Sequence, residues 1–280
     1  MGGYAITFKD RPFSLREEEI RKISRALRAA DKSYFLIHGG GSWGHPIAMI
    51  YNLSSFNYSQ NAKGATYTKI KMQQLSSLVQ KLLMEEGIFT FYYPAQSISS
   101  LNVNEIYQMM DLKVYPLTYG DVIYETNKGF RVIGGDEIIL KLSSKIKPEK
   151  VVFIMATPGI LDESGNIIDK ISVKKSGDGV YINDVPIISG NVTFKFKEIL
   201  PKVSKMSPDA TGGMAYKLYI AKILAKRGIK TIFVGPESTE NLVNALKGYK
   251  LCPLYTSAAP AKGPSVILGV VCSFTTTNRY

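Results

Sequence analysis

Three consecutive glycines, Gly39-Gly40-Gly41, separate the apolar run Tyr34-Phe35-Leu36-Ile37 from the segment Ile47-Ala48-Met49-Ile50. The run reads as a buried strand. Pro46 stands where a helix can begin. A strand, a glycine turn and a helix start point several backbone N–H groups at one spot. Such a nest, with the positive end of a helix dipole behind it, holds a phosphate or a carboxylate. A turn that serves tight packing alone needs the same glycines. It is not a Walker A loop, because no G-x-x-x-x-G-K-S/T occurs in the chain. The third glycine is misplaced for a dinucleotide fingerprint, and no suitable acid follows. Histidine sets the turn apart: the chain's two, His38 and His45, flank it, and its single tryptophan, Trp43, lies inside.

The rest of the chain alternates helical and extended patterns. Ile20, Ile23, Leu27 and Ala30 recur at helical spacing behind Ser14-Leu15-Arg16-Glu17, which reads as a capping box, so 15–30 is a helix. Residues 52–65 are polar and read as a mobile loop. Ile70, Leu75, Leu78, Val79, Leu82 and Leu83 mark a long helix over 66–86, stopped by Gly87. Its stripe is wide enough that Ile70 and Met72 become candidates to wall a pocket rather than the core. Strands are expected at 88–93, 114–117, 122–125, 150–155 and 231–234. Helices are expected at 103–110, 137–146, 212–226 and 238–246, the last capped by Ser238. Segments 167–173 and 180–188, divided by Ser176-Gly177-Asp178-Gly179, suggest a hairpin excursion. Strands alternating with helices predict an α/β fold, a mostly parallel sheet covered on both faces. The apolar segment 265–274 has no place in this alternation.

At 280 residues and 45% apolar content the chain can build one large α/β domain. It contains no apolar run long enough to span a membrane and no signal-peptide pattern, so a soluble, cytoplasmic protein is expected. Cys252 and Cys272 lack metal spacing and read as incidental thiols. The net charge of +12 is spread along the chain rather than gathered in one run, which favours a small anionic substrate over nucleic acid.

Four patterns carry chemistry: Gly2-Gly3 with Thr7 and Lys9; the glycine turn with His45; Tyr119-Gly120-Asp121-Val122 followed by Gly134-Gly135-Asp136-Glu137; and Asp209-Ala210-Thr211-Gly212-Gly213-Met214 with Lys217. Phosphoryl transfer needs cations and amides around the moving group and two reactants held in line. Lysine supplies a point charge, and protonated histidine donates to an acceptor phosphate. Each part alone has an ordinary reading: Lys9 and Lys217 as surface lysines, Asp136 as a helix cap, Thr211-Gly212-Gly213 as a helix start, His45 as a core histidine.

Taken in order, the four patterns resemble the amino acid kinase family, and within it most closely the archaeal-type isopentenyl phosphate kinases. Residues 38–46 match that family's H-G-G-G-S-F-G-H-P with Trp43 for the aromatic. Residues 2–9 match the glycines and I-T-x-K of its opening motif, 119–122 its Y-G-D-V, 134–137 its S-G-D-D, and 209–217 its D-V-T-G-G-M-x-x-K. Departures are Tyr4 for a small serine, Gly134 for the serine of S-G-D, and Ala156 and Pro158 for two acidic residues. The family's first lysine falls before Met1, and its last strand has no recognisable counterpart in 251–280.

The resemblance implies a three-layer αβα sandwich over 1–256. Its acceptor-phosphate half would cover about 1–130 and its nucleotide half about 131–256, with an atypical tail at 257–280. It implies ATP-dependent phosphorylation of isopentenyl phosphate, with Mg2+ accompanying ATP. Gly40, Gly41 and His45, with Gly3 and Gly135, would hold the acceptor phosphate. Lys9 would bridge acceptor and γ-phosphate, Asp136 would orient the lysines, and Thr211, Gly212, Gly213 and Lys217 would touch ATP. No metal ligand set of the chain's own is implied. A homodimer is expected, with neither nucleic acid nor membrane as partner. Another small phosphate, such as a nucleoside monophosphate, and a degenerate phosphate-binding protein remain the alternatives.

Overall fold

The computed structural model describes residues 1–55, 57–159 and 213–248, and the strand segments 171–172, 180–182, 185–188 and 272–274. A short helix α1 (Gly3–Ile6) leads to α2 (Glu17–Ala30), strand β1 (Ser33–His38), α3 (Gly41–Ile50) and the long α4 (Ala62–Glu85). Then come β2 (Phe89–Tyr92), α5 (Val103–Asp111), β3 (Val114–Tyr119), β4 (Asp121–Glu125), β5 (Gly129–Ile133), α6 (Gly135–Lys145) and β6 (Lys150–Ile154). After the short strands β7 (Ile171–Ser172), β8 (Val180–Ile182) and β9 (Val185–Ile188) follow α7 (Gly213–Lys226), β10 (Lys230–Val234), α8 (Thr239–Lys247) and β11 (Cys272–Phe274).

Six strands form the main sheet in the order β10-β6-β11-β1-β3-β2. The pairs β10–β6, β1–β3 and β3–β2 are parallel, and β11 runs antiparallel between β1 and β6. Helix α2 packs against α4 and α8, while α6 packs against α7. Chain crossovers in a parallel sheet are right-handed, which sets α4 and α5 on opposite faces. The three layers therefore follow from apolar strands such as Phe35-Leu36-Ile37 and Val151-Val152-Phe153, buried on both faces. Tyr34 shows how the layers lock: its hydroxyl donates to Leu27 O at 3.0 Å, tying β1 to α2.

Several elements depart from the sequence expectations. The capping box does not form. Ser14 donates to Pro12 O instead, and α2 starts at Glu17 with Arg16 at its N-cap. The cause is a bridge between Thr7 and Leu15, with Phe8 N–H donating to Ser14 O, which holds Ser14 extended. Helix α3 starts at Gly41, so Pro46 lies inside it rather than opening it. The polar stretch 52–65 is not loop throughout. Asn61 caps α4, its side chain accepting from Gly64 N–H at 2.9 Å. Residues 122–125 do not enter the main sheet but pair with β5 in a separate antiparallel hairpin. The expected hairpin after β6 is a three-stranded sheet, β7-β8-β9. Its proposed turn at 176–179 and most of the tail lie outside the described residues.

Candidate active site

The carboxyl ends of β1 and β3 meet where Gly120 N–H donates to His38 O at 3.0 Å. Beside them the two glycine turns touch backbone to backbone. Gly39 N–H donates to Met1 O at 3.0 Å, and Gly2 N–H donates to Ile154 O at 2.7 Å. A Cβ on Gly3 would stand 2.2 Å from Gly41 N, and one on Gly41 would stand 2.0 Å from Thr7 Oγ1. Gly41 also has φ +47°, a conformation glycine adopts without steric cost. Thr7, buried, ties the two turns: its hydroxyl donates to Gly3 O at 2.8 Å and accepts from Ser42 N–H at 3.1 Å.

A cleft of about 330 Å³ opens above this seam. Gly3, Lys9, Gly40, His45, Gly135, Asp136 and Lys217 all line it. Gly41 is not among the lining residues; it is buried behind them against Gly3 and Thr7. Gly213 is the first residue of α7, and Thr211 and Gly212 lie outside the described residues. At one end of the cleft α3 begins with Gly40 at its N-cap, presenting N–H groups that have no acceptor inside the helix. The Tyr4 ring stacks on the His45 imidazole, with centroids 5.9 Å apart and planes at 28°. Arg16 steadies that segment by donating to Tyr4 O at 3.3 Å.

At the other end, Asp136 sits in the first turn of α6, where a helix dipole favours an acid. It does not cap the helix. Gly134 is the N-cap, and the Asp136 carboxylate meets Lys217 Nζ of α7 at 2.6 Å. Lys217 also lies 5.8 Å from the centroid of the Phe153 ring. Ala48, Met72, Val132 and Ile139 add apolar lining to the cleft. Of the two pocket candidates on α4, Met72 lines the cleft, whereas Ile70 faces solvent.

Several contributors escaped the sequence reading. Asp121 is buried, and burial pushes its carboxyl up from the ordinary value, opposed by Lys69 of α4, which donates to it. Arg131 of β5 grips Glu137 with two hydrogen bonds of 2.8 Å and Glu125 with a third of 2.8 Å. Burial alone would raise the Glu137 carboxyl, but the Arg131 fork more than offsets it and holds it low. Glu125 falls to about 2 because the Tyr58 hydroxyl and Arg131 both donate to it. His38 is buried, and its Nδ1 lies 3.2 Å from Gly39 O, so that nitrogen carries the proton. Loss of water holds its imidazole neutral, with the pKa lowered to about 3. Asp121, His38 and Glu137 each stand in a motif visible in the sequence, at 119–122, 38–46 and 134–137, but nothing local announced their burial or their partners. The pairings of Lys69 and Arg131 are set by tertiary structure.

With Lys9, Arg16 and Lys217 around it and both lining carboxylates paired to lysines, the cleft suits an anion. The sequence pattern described as the amino acid kinase family matches residues 1–235. An isopentenyl phosphate kinase of Methanothermobacter thermautotrophicus is 26% identical over 270 residues, covering 89% of this chain and 94% of that one. An isopentenyl phosphate kinase of Thermoplasma acidophilum is 25% identical over 220 residues, covering 78% and 82%. A solved isopentenyl phosphate kinase structure superposes with a TM-score of 0.64 at 21% identity, covering 90% of this chain and 96% of that one. On the match of residues 1–235, this chain belongs to the amino acid kinase family.

Proposed function

We propose that the chain is an isopentenyl phosphate kinase, transferring the γ-phosphoryl group of ATP to isopentenyl phosphate to give isopentenyl diphosphate and ADP. One observation carries the reading: a single cleft is lined by the glycine turn with His45, by the Lys217–Asp136 pair and by apolar side chains. Relatives bearing that name span most of the chain and support it.

In this reading an oxygen of the acceptor phosphate attacks the γ-phosphorus in line. The new P–O bond forms as the bond to the β-phosphate oxygen breaks, and ADP leaves with that electron pair. No group of the protein is phosphorylated. The Gly40 amide and protonated His45 hold the acceptor phosphate, with Gly3 and Gly135 allowing backbone to approach it and Gly41 seating the Gly3 turn from behind. Lys9 bridges the two phosphates as negative charge gathers between them. Lys217 and the start of α7 hold the ATP phosphates, and Asp136 fixes the Lys217 ammonium. Mg2+ would accompany ATP and be held chiefly by the nucleotide's own phosphates, since both lining carboxylates, Asp121 and Asp136, are already paired with lysines. We place this reaction in the cytoplasm, as the sequence expectation has it. We further propose a homodimer formed at the edge strand β2, where Phe89 and Phe91 are exposed.

The test is 31P NMR of the protein with ATP, Mg2+ and isopentenyl phosphate, which should show a new diphosphate. His45→Ala should lower kcat/KM for the acceptor by about 100-fold or more, the effect of losing a charged phosphate contact. Unchanged kinetics in that variant would remove His45 from the acceptor site. Turnover of a nucleoside monophosphate in preference would favour the second acceptor class. Calorimetry that finds monophosphate binding but no Mg-ATP binding would identify a degenerate binding protein, the reading to which Ala156 and Pro158 point.

A further inference from the structure

From Lys32 to Met84 the chain carries no Asp or Glu. This stretch holds α3 and all of α4 but its last residue, and their outer surface keeps large apolar side chains in water. Ile50 is 74% exposed, Ile70 44% and Tyr67 42%. The surface is continuous: Lys71 Nζ lies 4.9 Å from the Phe13 ring centroid and 5.7 Å from that of Tyr67, and the Tyr67 ring packs on Tyr51 at 6.2 Å. Ile50 adjoins Tyr51 at the end of α3, Ile70 lies one turn beyond Tyr67, and Lys63 one turn before it. Met72, on the inner face of the same helix, lines the cleft. Lys69 is spoken for by Asp121, whereas Lys63 and Lys71 have no acidic partner among the described residues.

We propose that this face docks on an anionic lipid bilayer surface. Isolated apolar residues on a surface are ordinary, but a connected patch of aliphatic and aromatic side chains with lysines across it is not. Its parts match an interface: Ile50 and Ile70 enter the acyl boundary, Tyr67 and Phe13 sit at headgroup depth, and Lys63 and Lys71 meet the phosphates. Charge decides between this occupant and a second copy of the chain. A twofold contact sets a patch against itself. Whatever then faces Lys63 or Lys71 comes from the same patch, where residues 32–84 offer no acid to offset them. An anionic bilayer offsets each one. Peripheral docking needs no spanning helix, and none of the helices among the described residues is long and apolar enough to cross a membrane. The expectation of no membrane partner rested on that missing span alone. The inference stands apart from the kinase reading, since vesicle binding is measured without turnover.

The experiment is co-sedimentation of the full chain with vesicles of phosphatidylcholine alone and of phosphatidylcholine with about one-third phosphatidylglycerol, in low and high salt. Binding is expected to the anionic vesicles only and to weaken with salt. Lys63→Glu with Lys71→Glu should reduce the partition coefficient at least about 10-fold. Ile50→Ser with Ile70→Ser should reduce it several-fold. The control Lys145→Glu with Lys147→Glu makes the same change of charge at the far end of α6 and should retain most of the binding. Absence of binding, or an equal loss in the control pair, would overturn the proposal. So would light scattering that shows the patch variants converting a dimer to monomers without altering sedimentation, because the face would then be a contact between copies.

Discussion

His38, buried in the wall of the cleft, and Arg131, outside it, have consequences for stability that can be measured without substrate. His38 has its imidazole held neutral by burial, with a pKa of about 3 against about 6.5 in an unfolded chain. The unfolded state therefore binds a proton that the folded state refuses between those values. Stability is fully present above about pH 6.5 and declines as pH falls toward 3, by about 1.4 kcal/mol per unit from this group. Urea denaturation of wild type and His38→Gln at pH 7.5, 6, 5 and 4 checks this: the variant should lose less stability than wild type on acidification. Arg131 fixes the first turn of α6 through Glu137, and the neighbouring residue, Asp136, holds Lys217. Breaking this largely buried pair by Arg131→Met should cost about 2–3 kcal/mol of stability. In the kinase reading it should also lower kcat more than it raises KM for isopentenyl phosphate. The double variant Arg131→Glu with Glu137→Arg should recover part of both. A KM increase for the acceptor alone, with kcat intact, would contradict a positioning role on the nucleotide side.

Helix α4 shows what an element can settle and what its sequence concealed. Its apolar stripe was readable in Leu75, Val79, Leu82 and Leu83, all buried. The stripe was too wide to say which side chains reach the cleft, because helical spacing fixes a face but not the neighbour behind it. Met72 turns inward, where its sulfur lies 3.0 Å from a Cβ built on Gly40 and 2.8 Å from one built on Gly44. Ile70 turns outward. The start of α4 was misjudged because Asn61, Lys63 and Gly64 read as loop, yet Asn61 serves as the cap. The capping box at Ser14 failed for the opposite reason, a tertiary bridge overriding a local motif. Met72→Ala should open the apolar wall beside the glycine turn by several methylene groups, each about 0.8 kcal/mol of burial. The kcat/KM ratio of geranyl phosphate to isopentenyl phosphate should then rise. An unchanged ratio would place the tail against Val132 and Ile139 instead.

At the scale of the whole molecule, alternation of apolar runs and amphipathic helices announced the three layers. The order of strands was not legible, since periodicity carries no information about which strand neighbours which. Segment 265–274, without a role in the sequence, contributes β11 to the middle of the sheet, pairing Phe274 with Ser33. The cleft gathers positions near 3, 40, 121, 136 and 217, so no continuous fragment contains it. Its geometry depends on glycines meeting glycines: Gly3 against Gly41 at the first seam, and at the second Gly120, where a Cβ would stand 3.3 Å from Gly135 N. Such seams limit how the gene can drift. At most sites a harmful substitution can be rescued by a smaller residue opposite, but glycine already has the smallest partner available. No second change can make room, and the two positions of the first seam are closed to compensation from either side.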